Sequence, residues 1–348
     1  YKKDFSISIL ECYGRTQIQN YDDRVFNYML SRYFSPTAMI CVTLLFSSFY
    51  HSAMAEENQA DTHAVAISDA APKIDLNTLI VIGYHEITAD KNAVIPNYAV
   101  TTKQFELHLD WLQKNGYHFV SVDQLLKAKE GKYRLPTKPV LLTVDDGYQS
   151  FYKDAYPIIK QRKIPVVLAV VGSWLEPKAN EMVQFGDEKL SRKKLLTWDE
   201  LKTMQKSGFV EIGSHSYNLH RGIMGNPQGN SEPAAVTREY DPKNKSYETD
   251  QAYADRIFND LKTNNKLLKS HSLKAPRVMV WPYGRYNLQT VAIADKVGMP
   301  ITISLDDGPD HIEKSLGHLN RILVEGNMTT DSLAQEIESR HMNFTDNN

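Results

Sequence analysis

Pro139-Val140-Leu141-Leu142-Thr143-Val144-Asp145-Asp146-Gly147 is the stretch of this chain that decides its fold. Its first six residues are almost unbroken apolar, the composition of a short strand buried on both faces of a parallel sheet. Two acids follow at the strand's C-terminal end, Gly147 permits a sharp turn, and Asp154-Ala155-Tyr156-Pro157-Ile158-Ile159-Lys160 reads as the start of the next helix. Active sites of α/β folds collect at that edge of the sheet. Adjacent carboxylates there repel each other and resist joint ionisation unless positive charge lies beside them. A divalent metal supplies it: side chains diverge in extended chain, so one Asp can ligate the ion while the other accepts a proton from the ion's water.

An Asp-Asp-Gly turn alone is common on protein surfaces. The histidines change its meaning. Phe209-Val210-Glu211-Ile212-Gly213-Ser214 alternates like a strand and ends at His215, with His220 five residues further on. That spacing does not stack two side chains on one helical face, so a loop is expected to bring both rings to one point. Two neutral imidazoles and a carboxylate with open positions suit Zn²⁺, Fe²⁺, Co²⁺ or Ni²⁺ better than Ca²⁺ or Mg²⁺. The kit is that of a metal-dependent hydrolase.

Thr143-Val144-Asp145-Asp146-Gly147 resembles the first motif of the polysaccharide deacetylases (carbohydrate esterase family 4, the NodB homology domain). The segment from His215 to His220 resembles their second, and Arg277-Val278-Met279-Val280-Trp281-Pro282-Tyr283-Gly284 their third. Within the family the chain is most similar to the poly-β-1,6-N-acetylglucosamine N-deacetylases of biofilm systems, the PgaB and IcaB type. Those share the longer histidine spacing and take a catalytic histidine from the first strand, here Leu79-Ile80-Val81-Ile82-Gly83-Tyr84-His85-Glu86. The resemblance implies that Asp146, His215 and His220 hold the metal and that Asp145 is the general base. It also implies that His85 is the general acid, that Arg277 orients or tunes the base, and that the backbone N–H of Tyr283 helps to stabilise the oxyanion. In place of the family's Asp-Ser-Trp-like fourth motif stands Ile303-Ser304-Leu305-Asp306-Asp307-Gly308, with Asp306 or Asp307 as a possible support for His85 or Arg277.

Elsewhere helical spacing predicts helices over residues 102–115, 122–129, 201–207, 252–270 and 288–297. Strands are expected over 164–171, 277–281 and 300–305, and Thr197-Trp198-Asp199-Glu200 reads as a capping box. Alternation with the motif residues at strand C-termini implies a parallel sheet closed or nearly closed into a (β/α) barrel, and the resemblance implies the distorted seven-stranded version, (β/α)7. Residues 221–249, rich in Gly, Asn, Pro and charge, are expected to form a surface insertion beside the site.

Near the N-terminus a basic stretch around Arg32 precedes Ala38-Met39-Ile40-Cys41-Val42-Thr43-Leu44-Leu45-Phe46 and then Ser52-Ala53-Met54-Ala55. This is the three-part pattern of a signal peptide, expected over 29–55 and cleaved after Ala55. The apolar core is shorter than the roughly 20 residues of a spanning helix, so no membrane span is expected. Residues 1–28 read as an upstream extension, 56–78 as a flexible leader, 79–340 as the deacetylase domain and 341–348 as a polar tail. Both cysteines, Cys12 and Cys41, precede the expected cleavage point, which removes any disulfide or Cys-type zinc site from the exported part.

A formal net charge of −2, from 40 basic and 42 acidic residues, gives no electrostatic case for nucleic acid or an anionic membrane surface. Trp174 and Trp281 are the candidates for lining a sugar-binding cleft, while Trp111 and Trp198 are expected to pack. The leading expectation is a metal-dependent N-deacetylase of poly-β-1,6-N-acetyl-D-glucosamine in exopolysaccharide maturation and export. Its setting would be the periplasm, the outer membrane or the cell surface, with an export-machinery protein as a possible partner. The alternatives are a deacetylase of chitin oligomers or peptidoglycan, and a weakly active polysaccharide-binding export module.

Overall fold

The computed structural model describes residues 73–90, 93–186 and 188–343. Eight parallel strands form one curled sheet: β1 (Ile80–Tyr84), β2 (His118–Phe119), β3 (Pro139–Val144), β4 (Val166–Val170), β5 (Val210–Ser214), β6 (Val278–Val280), β7 (Ile301–Ile303) and β8 (Ile322–Leu323). The spatial order is β7-β6-β5-β4-β3-β1-β8, with β2 paired to the start of β3. The segment before β8 bonds back to the other edge strand, Leu319 N–H donating to Thr302 O at 2.9 Å and Ser304 N–H to Leu319 O at 2.8 Å. A distorted (β/α) barrel results.

The apolar runs are explained by burial on two sides. Alternate residues such as Ile80, Leu142 and Leu168 face outward into a layer with Phe105, Leu109 and Leu112 of helix α1 (Thr102–Lys114). Their neighbours Val81, Leu141 and Val167 turn inward and meet Val280 and Ile303 in a second cluster. Among the described residues the other α-helices of seven residues or more are α2 (Val122–Lys129), α3 (Tyr156–Arg162), α4 (Trp198–Lys206), α5 (Asp250–Ser270), α6 (Leu288–Lys296) and α7 (Thr330–His341). The Thr197/Glu200 capping box forms as read, and Ser121/Gln124 and Asn287/Thr290 make two more.

Beyond shifts of up to three residues at element ends, the structure adds detail that the sequence reading lacked. The helix expected from Asp154 is preceded by a π-helical turn, Phe151–Ala155. Residues 221–249 carry two hairpins, Gly222–Met224 with Ser231–Pro233 and Tyr240–Asp241 with Ser246–Tyr247, and Ile223, Ala234 and Ala235 pack in one cluster with Tyr253 and Trp281. Lys73–Ile74, inside the expected leader, pairs antiparallel with Met342–Asn343, inside the expected tail. Buried His341 places its Nδ1 2.9 Å from the Asp75 carbonyl, so backbone pairing ties both ends into the domain. The expected extension and signal peptide lie outside the described residues. Among the described residues no helix is long and apolar enough to cross a membrane.

Asp310 seals the lower rim of the sheet, its carbonyl accepting from Leu79 N–H and its carboxylate from Asn320 N–H at 3.0 Å. Burial pushes its carboxyl up to about 7, although that N–H and nearby Arg340 act the other way. The native state therefore binds a proton that the unfolded chain has already released. Stability attributable to this group falls as pH rises from about 4 to about 7, by at most about 1.4 kcal/mol per pH unit. Asp310→Asn should flatten that slope in urea melts; an unchanged slope would assign it to other groups.

Candidate active site

Every sequence-predicted site residue that follows a strand comes to one end of the barrel. Asp145 N–H donates to Tyr84 O at 2.9 Å, continuing the β1–β3 ladder one residue beyond β3. The chain then folds on itself: Gly147 N–H reaches Asp145 O at 2.8 Å and Asp146 takes φ 72°, a left-handed backbone at the centre of a three-residue turn. Such a turn is rare and strained for a non-glycine residue. It directs the Asp145 side chain toward β8 and that of Asp146 toward β5, which gives adjacent acids different neighbours.

Asp146 Oδ1 lies 3.6 Å from His215 Nε2 and 3.6 Å from His220 Nε2. Donor atoms of the three residues all fall within 4.8 Å of one another. Bonds of about 2.0–2.1 Å on a tetrahedron would space donors by about 3.3 Å, so the cluster has the dimensions of a metal site. Three further observations fit that use. Asp146 Oδ1 is buried without a hydrogen-bond partner. His215 Nδ1 sits 2.7 Å from the Val280 carbonyl, which places its proton there and leaves Nε2 with a free lone pair. Burial pushes both imidazoles down to about 4, so they are neutral at neutral pH.

Asp145 faces a cation. Arg321 Nη1 stands 2.9 Å from its Oδ1 and 2.8 Å from its Oδ2, and also reaches Thr143 Oγ1 at 3.2 Å. Arg321 is only 3% exposed, and its stem crosses Gly83 so closely that a Cβ there would lie 2.6 Å from Arg321 Cδ. Burial alone would raise the Asp145 carboxyl, but Arg321, His215 and His85 outweigh it and hold it below the usual carboxylate range. His85 Nε2 lies 3.9 Å from Asp145 Oδ2. These groups open into a hollow of about 320 Å³ whose walls include Tyr98, Tyr148, Phe185, Trp281 and Tyr283. Trp174 stands behind it, its ring 5.0 Å from that of His220. Trp111 and Trp198 pack against the core.

The structure corrects two expectations. Arg277 precedes β6, as Arg321 precedes β8, and the two side chains differ in direction: Arg321 crosses Gly83 to reach Asp145, unlike Arg277. Its guanidinium is engaged at the opposite end, with Glu211 at 2.9 Å through both Nε and Nη2 and with Asp123 at 2.6 Å. Arg321 occupies the place beside the base. Asp306 and Asp307 support neither His85 nor Arg277: Asp306 accepts from Tyr286 Oη at 2.7 Å and pairs with His318 at 3.3 Å, and Asp307 pairs with Arg340 at 3.2 Å.

Sequence reading missed Arg321 and Asp260. Arg321 left one trace, a charge inside the strand-like Leu319-Asn320-Arg321-Ile322-Leu323-Val324. Asp260, on α5, grips the loop between the two histidines, its carboxylate accepting from Tyr217 N–H and Asn218 N–H at 2.8 Å each. Ser216, also in that loop, is held at φ 72°. Asp260→Ala should lower zinc affinity by about 10–100-fold, the usual cost of removing a group that orients ligands. Calorimetric titration with Zn²⁺ checks this; unchanged affinity would show that the loop holds its shape unaided.

Residues 132–302 match the sequence model of the polysaccharide deacetylase family. The solved structure of a de-N-acetylase from Aggregatibacter actinomycetemcomitans is 34% identical and superposes with a TM-score of 0.69, covering 74% of this chain and 99% of that one. The chain belongs to the polysaccharide deacetylase family. A second similar structure is the BpsB deacetylase domain from Bordetella bronchiseptica, 35% identical with a TM-score of 0.64, covering 73% of this chain and 97% of that domain. Among curated proteins, the poly-β-1,6-N-acetyl-D-glucosamine N-deacetylase of Escherichia coli K12 is 35% identical over 261 residues. Those residues are 75% of this chain but only 38% of the E. coli protein, so the chain spans well under half of that relative's length. His85 and Arg321 fall outside the segment that the family model matches, His85 just after β1 and Arg321 just before the adjacent β8.

Proposed function

We propose that this polysaccharide deacetylase hydrolyses the acetamide of N-acetylglucosamine residues in poly-β-1,6-linked polymer, with a divalent cation held by Asp146, His215 and His220. The observation that carries the reading is the Asp145–Arg321 pair beside that ligand set, with His85 across from the same carboxylate. The cation, bound there, supplies a Lewis acid for the acetyl carbonyl and makes a neighbouring water more acidic. Asp145, kept ionised by Arg321, takes a proton from that water as its oxygen attacks the carbonyl carbon. The backbone N–H of Tyr283 is the proposed donor to the developing oxyanion. His85 gives a proton to the nitrogen as the C–N bond breaks, so that an amine leaves and acetate remains. Neutral His215 and His220 favour Zn²⁺, Co²⁺, Ni²⁺ or Fe²⁺ over harder cations.

The β-1,6 linkage is supported by the substrate that the E. coli relative is named for, and export to the periplasm, outer membrane or cell surface by the signal-like pattern at 29–55. The test is acetate release from a β-1,6-linked N-acetylglucosamine pentamer and from chitopentaose, each with and without added Zn²⁺, Co²⁺ or Ni²⁺. Metal-dependent turnover of the β-1,6 pentamer is expected. Turnover of chitopentaose alone would overturn the substrate, and no turnover of either under any metal would overturn the activity.

A further inference from the structure

Beside the catalytic hollow lies a second one of about 460 Å³, lined by Pro96, Asn97, Tyr98, Glu325, Gly326 and Asn327. Tyr98 belongs to both. Its ring centroid is 5.4 Å from that of His85 and the residue is 39% exposed, so an accessible aromatic ring stands between the two hollows. Sugar faces stack on such rings. A polymer whose acetamide reaches Asp145 would therefore lay a neighbouring sugar over Tyr98 and its ring substituents into the second hollow.

The second hollow is built and not merely a gap between loops. Residues 96–98 follow β1 and residues 325–327 follow β8, two adjacent strands. Gly326 N–H donates to Asn97 O at 2.8 Å. A Cβ at position 326 would lie 2.8 Å from Ala99 O and 2.9 Å from Pro96 O, so the loops close this tightly only around glycine. The Gln104 side-chain amide donates to Met328 O, and Met328 N–H to Glu325 O at 3.0 Å, which fixes the far wall.

Its chemistry is selective. The side chains offered to a ligand are two amides, Asn97 and Asn327, and one carboxylate, Glu325; all three are exposed and the lining contains no cation. No ion pair engages Glu325 among the described residues. Amides suit the hydroxyls of any sugar; a carboxylate also accepts from a hydroxyl or an acetamide N–H, but an ammonium group brings three donors and a positive charge and makes the stronger, charge-assisted bond. An ammonium at the sugar's 2-position is what the proposed reaction leaves behind. We propose that Tyr98 and Glu325 form a subsite for an already deacetylated, protonated glucosamine next to the residue being deacetylated. This deepens the reading above and rests on it. Partly deacetylated chains would then be held better than untouched ones, and the amines would accumulate near one another.

The test uses two β-1,6-linked pentamers, one fully acetylated and one with glucosamine at the second or the fourth sugar, at a slightly acidic pH that keeps the amine charged. Wild type should show a KM about fivefold lower for the amine-containing pentamer, the ratio that about 1 kcal/mol from a solvent-accessible ion pair provides. The advantage should shrink as salt is raised. Glu325→Gln should remove it, so that the variant's KM values for the two pentamers become equal. Equal KM values in wild type, or a preference that survives Glu325→Gln, would overturn the subsite. Calorimetric binding of both pentamers to the metal-loaded Asp145→Asn protein gives a readout independent of turnover. An amine preference there that depends on Glu325 supports the subsite even if the activity fails, and its absence there overturns the subsite even if the activity stands.

Discussion

Asp145→Asn should cut acetate release by about 10²–10⁴-fold, the usual worth of a positioned general base, while leaving the metal in place. The two halves of that expectation come from the turn at Asp146. Because the left-handed backbone there separates the two side chains, the ligand set Asp146, His215 and His220 does not include Asp145. An amide at position 145 has nearly the shape of the carboxylate, and its oxygen can still accept from Arg321, but it cannot take up the proton of an attacking water. Zinc content by elemental analysis and kcat on the β-1,6 pentamer, measured on one preparation, check both halves. Activity within tenfold of wild type would remove Asp145 from the base position, and loss of zinc would make it a ligand. His215→Ala should lose zinc and turnover together.

What could be read from the sequence follows from strand physics. Strands buried on both faces announce themselves as apolar runs, and whatever ends such a run stands at the sheet's edge, so Asp145, Asp146 and His215 could be located, while His85 came from the resemblance. The resemblance of the third motif drew attention to Arg277, but its side chain pairs with Glu211 and Asp123, away from the site, and the sequence does not show which way a side chain at the start of a strand runs. Arg321 was hidden because β8 is two residues long and follows an irregular stretch, and its partner lies 176 residues away. Asp260 sits on an ordinary-looking helix, and only the folding of the His215–His220 loop onto that helix gives it meaning. The hairpins within 221–249 have two or three residues per strand, too few for alternation to show. Helix α7 buries Leu333 and Ile337 on one face, a single pair at helical spacing in a polar segment.

Exchanging the two arginines' fates is the sharpest test of the corrected site. Arg321→Met leaves a buried carboxylate, 1% exposed, without its cation, and breaking a buried pair from one side costs about 3–5 kcal/mol. Turnover should fall by about the same factor as in Asp145→Asn, since a base left without its guanidinium is neither aimed nor held ionised. Arg321→Lys should recover only part of this, because an ammonium cannot reproduce the planar guanidinium's set of donors toward Asp145 and Thr143. Arg277→Met breaks pairs with Glu211 and Asp123 at the far end of the barrel, where its side chain is 34% exposed, and it should lower the melting temperature while leaving kcat within about twofold of wild type. The combination Arg321→Met with Asp145→Asn decides whether the two residues act as a unit. Groups that work through one another are strongly non-additive, so the double variant should turn over no more slowly than the slower single one. It should also be more stable than Arg321→Met alone, because the amide removes the unpaired buried charge. Multiplicative losses in kcat would instead mean that Arg321 contributes to the reaction by a route that does not pass through Asp145.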